Sequence, residues 1–179
     1  EGYFARRTWG DWLFALLAVI GGVVAFQRYH ASMDVYEKAI LAGTVPVVIW
    51  LGWFWRPLRQ LMLVVAALSL LAIWSYQGPQ GQADLGRAET VFWLKYFLSS
   101  QSAILWMSMI VFMSTVFYWI GMFARKQSGT FEGIGSKLAW VAVTLALVGT
   151  MVRWYEGDQL GPDIGYIPVS NLYEVFVLF

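Results

Sequence analysis

The chain has 179 residues, of which 59% are hydrophobic and only 13% charged, with a formal net charge of +1 and a mean hydropathy of +0.60. A soluble domain of this size carries about a quarter charged residues, so the composition excludes an ordinary globular protein and makes the bilayer the natural solvent. There is no cysteine, which excludes disulfides, zinc ribbons, iron–sulfur clusters and thiol catalysis together.

A membrane span needs about 20 mainly apolar residues. Backbone groups in lipid must be bonded internally, so the spans are expected to be helices. The predicted fold is an all-α integral membrane protein, a single polytopic domain of five transmembrane helices plus the start of a sixth, with the N-terminus cytoplasmic. The apolar runs are 12–26, 39–55, 58–76, 103–123 and 138–152, and a sixth begins at Val169.

The first run is read as a retained span, because no small-residue cleavage site follows it. The Arg6-Arg7 pair has no use as a twin-arginine signal in a polytopic protein. The second run contains Pro46, which removes a helix hydrogen bond and is expected to kink the helix. Arg56-Pro57-Leu58-Arg59 is a tight hairpin, with Pro57 suited to a first helical turn. Gly78-Pro79-Gln80-Gly81 is a turn signal. The following stretch, 88–98, is rich in aromatics. It reads either as a helix lying flat in the membrane interface or as the wetter start of the next span. Residues 125–137 contain Gly129, Gly133 and Gly135 and are expected to form a flexible polar turn.

Charge sets the orientation. Arg6, Arg7, Arg56, Arg59, Arg125, Lys126 and Lys137 share the side of the N-terminus, seven basic residues against five on the other side, Arg28, Lys38, Arg87, Lys95 and Arg153. Acids crowd the second side. The N-terminal side is therefore read as cytoplasmic and the region after Arg153 as outward.

Most of the eleven tryptophans fall near predicted span ends, where an apolar ring with a polar N–H suits the interface. Trp50, Trp106 and Trp119 lie deeper and are expected to pack between helices. His30, the single histidine, could ligate a metal or haem iron, but with no second ligand in view it reads as an interfacial polar residue. The outer loop 153–174 is the leading candidate region. Within it Asn171 and Glu174 have the spacing of a capping box on the incoming helix, which accounts for both without any function. It leaves Tyr173 and the Arg153-Trp154-Tyr155 cluster unexplained.

Two strings in this region carry a family resemblance. Met151-Val152-Arg153-Trp154-Tyr155-Glu156, followed by Gly161-Pro162-Asp163-Ile164-Gly165, resembles the CcsA/ResC family of system II cytochrome c biogenesis. So does Ile167-Pro168-Val169-Ser170-Asn171-Leu172-Tyr173-Glu174, and upstream 92–106 and Trp12-Leu13-Phe14 are similar to bacterial members. The resemblance implies a multi-pass protein of the bacterial cytoplasmic (inner) membrane that handles haem b. Beside a ResB-like subunit it would carry haem to the outer face and present it to the CxxCH motif of an apocytochrome c, as part of a holocytochrome c synthase. It marks Pro168, Ser170, Asn171, Leu172, Tyr173 and Glu174 as the motif, and Arg153, Trp154 and Tyr173 as the haem vicinity. Arg153 suits a propionate because its planar donor fork matches a carboxylate.

The family's ligand histidines and Trp-rich motif lie in a later half, so the chain is expected to be the N-terminal half of a longer protein. No axial ligand is expected within it. Many relatives carry His where this chain has Tyr166. No catalytic or metal-binding residue is assigned, and nucleic acid is not an expected partner. The competing expectation is a structural or assembly subunit that packs helices around a larger membrane complex. The scarcity of charge at span centres suits such a subunit and argues against an ion path.

Overall fold

The computed structural model describes residues 7–31, 33, 35–79, 81–124 and 128–160. All regular structure among them is helical, apart from one isolated antiparallel bridge between Gln77 and Ala83. The long helices are α1 (Trp9–Tyr29), α2 (Val35–Phe54) and α3 (Arg56–Tyr76). After a short α4 (Arg87–Thr90) and a π-helical turn (Leu94–Leu98) come α5 (Ser100–Phe123) and α6 (Ser128–Leu160). Four of these, α1, α3, α5 and α6, are long and apolar enough to cross a bilayer. The apolar part of α2, Lys38–Phe54, is shorter. Its 17 residues span about 26 Å at 1.5 Å per residue, just under a hydrocarbon core of about 30 Å. The chain is thus an all-α, multi-pass membrane protein. The expected sixth span lies outside the described residues.

The chain divides into two compact units, Glu1–Leu63 and Val64–Phe179. In the first, α1 packs against α2. Close approach requires Gly52, because a methyl there would run into the ring of Phe14. α2 runs through Pro46 to Phe54, and α3 begins two residues later at Arg56, so the expected tight hairpin is shorter still.

In the second unit α5 and α6 form a close antiparallel pair. Small residues recur at seven-residue spacing on α6, at the buried Gly135, Ala142 and Gly149, and the buried Ala103, Ser114 and Gly121 face them from α5. A Cβ at Gly149 would stand 3.3 Å from that of Ala103. This is small-residue packing of membrane helices, where backbones approach because side chains do not intervene. It also corrects the reading of 125–137. Residues 128–137 are helical, and a Cβ at Gly135 would stand 3.1 Å from the Tyr118 ring. That glycine serves helix contact; residues 125–127 lie outside the described residues.

Most hydroxyls within the spans are bonded as lipid demands, the buried Ser69 hydroxyl of α3 being an exception. Thr44, Ser75, Ser108, Thr115, Thr144 and Thr150 each donate to the carbonyl four residues earlier. The deep tryptophans depart from expectation. Trp50 and Trp119 are 55% and 62% exposed on their helices. Trp106 packs on the π-helical turn, its ring stacked on Phe97 with centroids 5.9 Å apart. A large apolar ring meets no desolvation cost in lipid, so depth in the span does not imply burial against protein.

Candidate functional site

The core of the second unit is built around Ala72, Tyr76, Leu94, Leu98, Val148 and Val152, all buried. α3 ends at Tyr76 because the chain turns there. The Gly78 carbonyl accepts from the Gly81 N–H at 2.9 Å, and Gly81 takes a positive φ of 77° that suits glycine. The stretch 88–98, with two readings open from sequence, is a separate element and not a continuous start of α5. Val91 and Ser99 both have extended backbone, with ψ of 118° and 152°, and they isolate the π-helical turn between them.

Ser99 caps α5, its side chain accepting from the Ser102 N–H. This aims the N-terminus of α5, with its unpaired N–H groups and positive dipole end, at whatever lies beyond. What lies there is the carboxylate of Glu156. Its Oε1 accepts from the Tyr76 hydroxyl at 2.5 Å and from the Ser100 N–H at 3.2 Å. Its Oε2 accepts from the Ser100 hydroxyl at 2.5 Å. Tyr76 and Ser100 are each 1% exposed, and the Tyr155 ring lies 5.8 Å from that of Tyr76. A carboxylate only accepts, and every group around it here donates. The arrangement ties the ends of α3, α5 and α6 together.

The sequence-expected residues Arg153 and Trp154 stand on the same stretch of α6. Residues 153–160 are helical, so the expected outer loop loses its first eight positions to a helix that outlasts the apolar run. Arg153 is half-buried, and Trp154 is 49% exposed. Tyr173 and the motif residues Pro168, Ser170, Asn171, Leu172 and Glu174, together with Tyr166, lie outside the described residues.

A second polar cluster belongs to the first unit. Asp11, only 4% exposed, receives the Arg59 guanidinium at 2.6 Å and the Thr8 N–H and hydroxyl at 2.8 and 2.9 Å. The Thr8 N–H bond is one half of a capping box that starts α1. The Trp53 indole donates to the Asp11 carbonyl at 2.9 Å, and Arg7 donates to the Trp53 carbonyl at 2.9 Å while lying 5.0 Å over its ring. The cluster fastens the start of α1 to the end of α2 and the first turn of α3.

Sequence reasoning missed Tyr76 and Ser100 as partners of Glu156, and it missed the Asp11–Arg59 pair. A signal was available for both. Alternate-loop counting already put Asp11 and Arg59 on one side of the membrane, and it put Glu156 on the side where Tyr76 ends a span and Ser100 precedes one.

Among the described residues no group of three or more His, Cys, Asp or Glu side chains could hold a metal ion. His30 caps α1. Its Nδ1 lies 3.0 Å from the Gln27 carbonyl and its ring stacks on Phe26. No protein-family model, no curated protein and no solved structure matches the chain.

Proposed function

We propose that this chain is a CcsA/ResC-like subunit of a system II cytochrome c maturation complex in the bacterial cytoplasmic membrane. With a ResB-like partner it carries haem b outward and presents it to apocytochrome c. The observation that carries this reading is the resemblance of the strings at 151–156 and 167–174, which stand in the order they have in that family. The all-α, multi-pass fold is compatible with it.

The resemblance implies that the haem iron takes its axial ligands from outside this chain. The part assigned to this chain is peripheral. Arg153 is assigned to a propionate because its planar donor fork matches a carboxylate, and Trp154, the next residue, has a half-exposed apolar ring. The Glu156 cluster fixes the turn of α6 on which both stand, and the resemblance adds Tyr173 to the haem vicinity. When bound, haem supplies the vinyl groups that the CxxCH thiols join. The chain's own residues hold and orient the macrocycle.

The test is holocytochrome c yield in cells that lack the gene, complemented by the wild-type protein or by Arg153→Ala at equal membrane abundance. The proposal expects no mature cytochrome c without the gene, and a yield lowered several-fold by the variant. Normal maturation without the gene contradicts it. It would leave the structural reading, in which the exposed aromatic faces of the helices pack against neighbouring subunits.

A further inference from the structure

The segment between α4 and α5 is built as a two-faced foot. Leu94 and Leu98 are 0% and 5% exposed and enter the core, while Phe92, Trp93, Tyr96 and Phe97 are 59%, 59%, 49% and 37% exposed. Its outer rings touch one another. Phe92 lies 5.1 Å from Tyr96, and Trp93 lies 5.9 Å from Phe97. Lys95 is exposed on the same turn, its ammonium 6.0 Å from the Tyr96 centroid.

A π-helical turn ending in an extended residue strands backbone carbonyls. Here α5 takes them up. The Ser102 hydroxyl donates to the Lys95 carbonyl at 2.6 Å, and the Trp106 indole donates to the Tyr96 carbonyl at 2.7 Å. With the Lys95 and Tyr96 carbonyls bonded in this way, that part of the turn tolerates an apolar environment on its outer side.

We infer that this aromatic turn is a lipid-binding foot, seated in the headgroup and upper acyl region of the bilayer. Three observations select lipid as the occupant. First, the aromatic face is continuous with the lipid-suited face of a span. Phe97 stacks on Trp106 of α5, and Leu105, Met109 and Phe112 follow on that helix, 63%, 53% and 68% exposed. Second, the turn stands at the end of that span, between it and the polar turn at Gly78–Gly81, the depth at which aromatic residues concentrate. Third, an exposed lysine among the rings places a cation where lipid phosphates lie. This inference stands apart from the haem reading and holds with or without it.

The absence of cysteine permits a direct depth measurement. A single nitroxide is placed at Trp93→Cys in the whole chain, reconstituted in vesicles of phosphatidylcholine and phosphatidylglycerol. Its collision rates with oxygen and with a water-soluble nickel chelate are then compared. Gln82→Cys in the polar turn is the aqueous reference and Phe112→Cys the mid-span reference. The expected oxygen-to-nickel ratio at 93 lies between the two, at a depth of about 5–10 Å below the phosphates. Phe92→Cys should report the same depth, so a folding defect in one variant does not decide the matter. A ratio equal to that of Gln82→Cys overturns the inference, because the face is then in water. Low collision with both reagents also overturns it, because a protein partner or a second copy then covers the face.

Discussion

Asp11 and Glu156 are carboxylates near opposite kinds of helix end, and they are neutralised in different ways. Asp11, near the start of α1, is almost fully buried and meets a guanidinium at 2.6 Å. Glu156, near the end of α6, meets two hydroxyls and a backbone N–H at the start of α5. The first is an ion pair, so removing one partner strands a buried charge. The second is a set of neutral donors reinforced by a helix dipole, so removing the carboxylate strands two hydroxyls and a backbone N–H but no charge. The lesson concerns cost and use. An ion pair fastens a site rigidly, whereas a neutral cradle holds a negative group at a position that also carries the candidate site residues.

This contrast is broken most severely at Asp11. Asp11→Asn is expected to destabilise the protein by about 3–5 kcal/mol, the usual result of leaving a buried charge unpaired. Replacing both partners, as in Asp11→Leu with Arg59→Leu, should recover most of that loss. Thermal unfolding of the detergent-solubilised protein measures both. If the double variant is no better than the single one, the pairing is not what holds the two ends together.

Glu156→Ala should cost less, about 1–3 kcal/mol, because the Tyr76 and Ser100 hydroxyls lose their acceptor in a buried setting. Its effect should also be local. Amide exchange should quicken across 94–102, while the first unit keeps its protection. Uniform loss of protection would mean that the carboxylate supports the whole molecule. Gly149→Leu probes the same unit by packing instead of charge, and overfilling the α5–α6 contact should cost about 1–3 kcal/mol. Ser99→Ala removes only the cap of α5, worth about 1 kcal/mol. Trp154→Ala should change stability by no more than about 0.5 kcal/mol, since half its surface is exposed. A larger loss would make Trp154 a packing residue and remove it from the haem vicinity.

Much of this fold is legible from hydropathy alone, because lipid leaves a hydrophobic segment little choice but a helix. The described helices overlap all five apolar runs, and each begins before its run. Trp9, Arg56 and Ser128 precede the apolar residues, because caps and polar first turns belong to the helix without belonging to the span. The glycines at 129–135 misled for a related reason. In water Gly punctuates, but within a membrane helix it need not, and Gly135 is a contact residue between helices. The polar clusters were the least legible. Asp11, Arg59, Tyr76, Ser100 and Glu156 are far apart in sequence, and hydropathy says which side of the membrane they share without saying which of them meet. Of the site, Arg153, Trp154 and Tyr155 were visible as a cluster, while the role of Glu156 and the donors that fix it were not.

The central claim is that Arg153 and its neighbours hold the edge of a haem. The most direct measurement is the Soret absorbance per mole of the complex purified with the proposed ResB-like partner, wild type against Arg153→Ala. Unfolding temperature serves as the control for folding. The account predicts a Soret band in the wild type that falls several-fold in the variant at unchanged unfolding temperature. An unchanged band in the variant would contradict the role of Arg153, and no band in either protein would contradict haem handling itself.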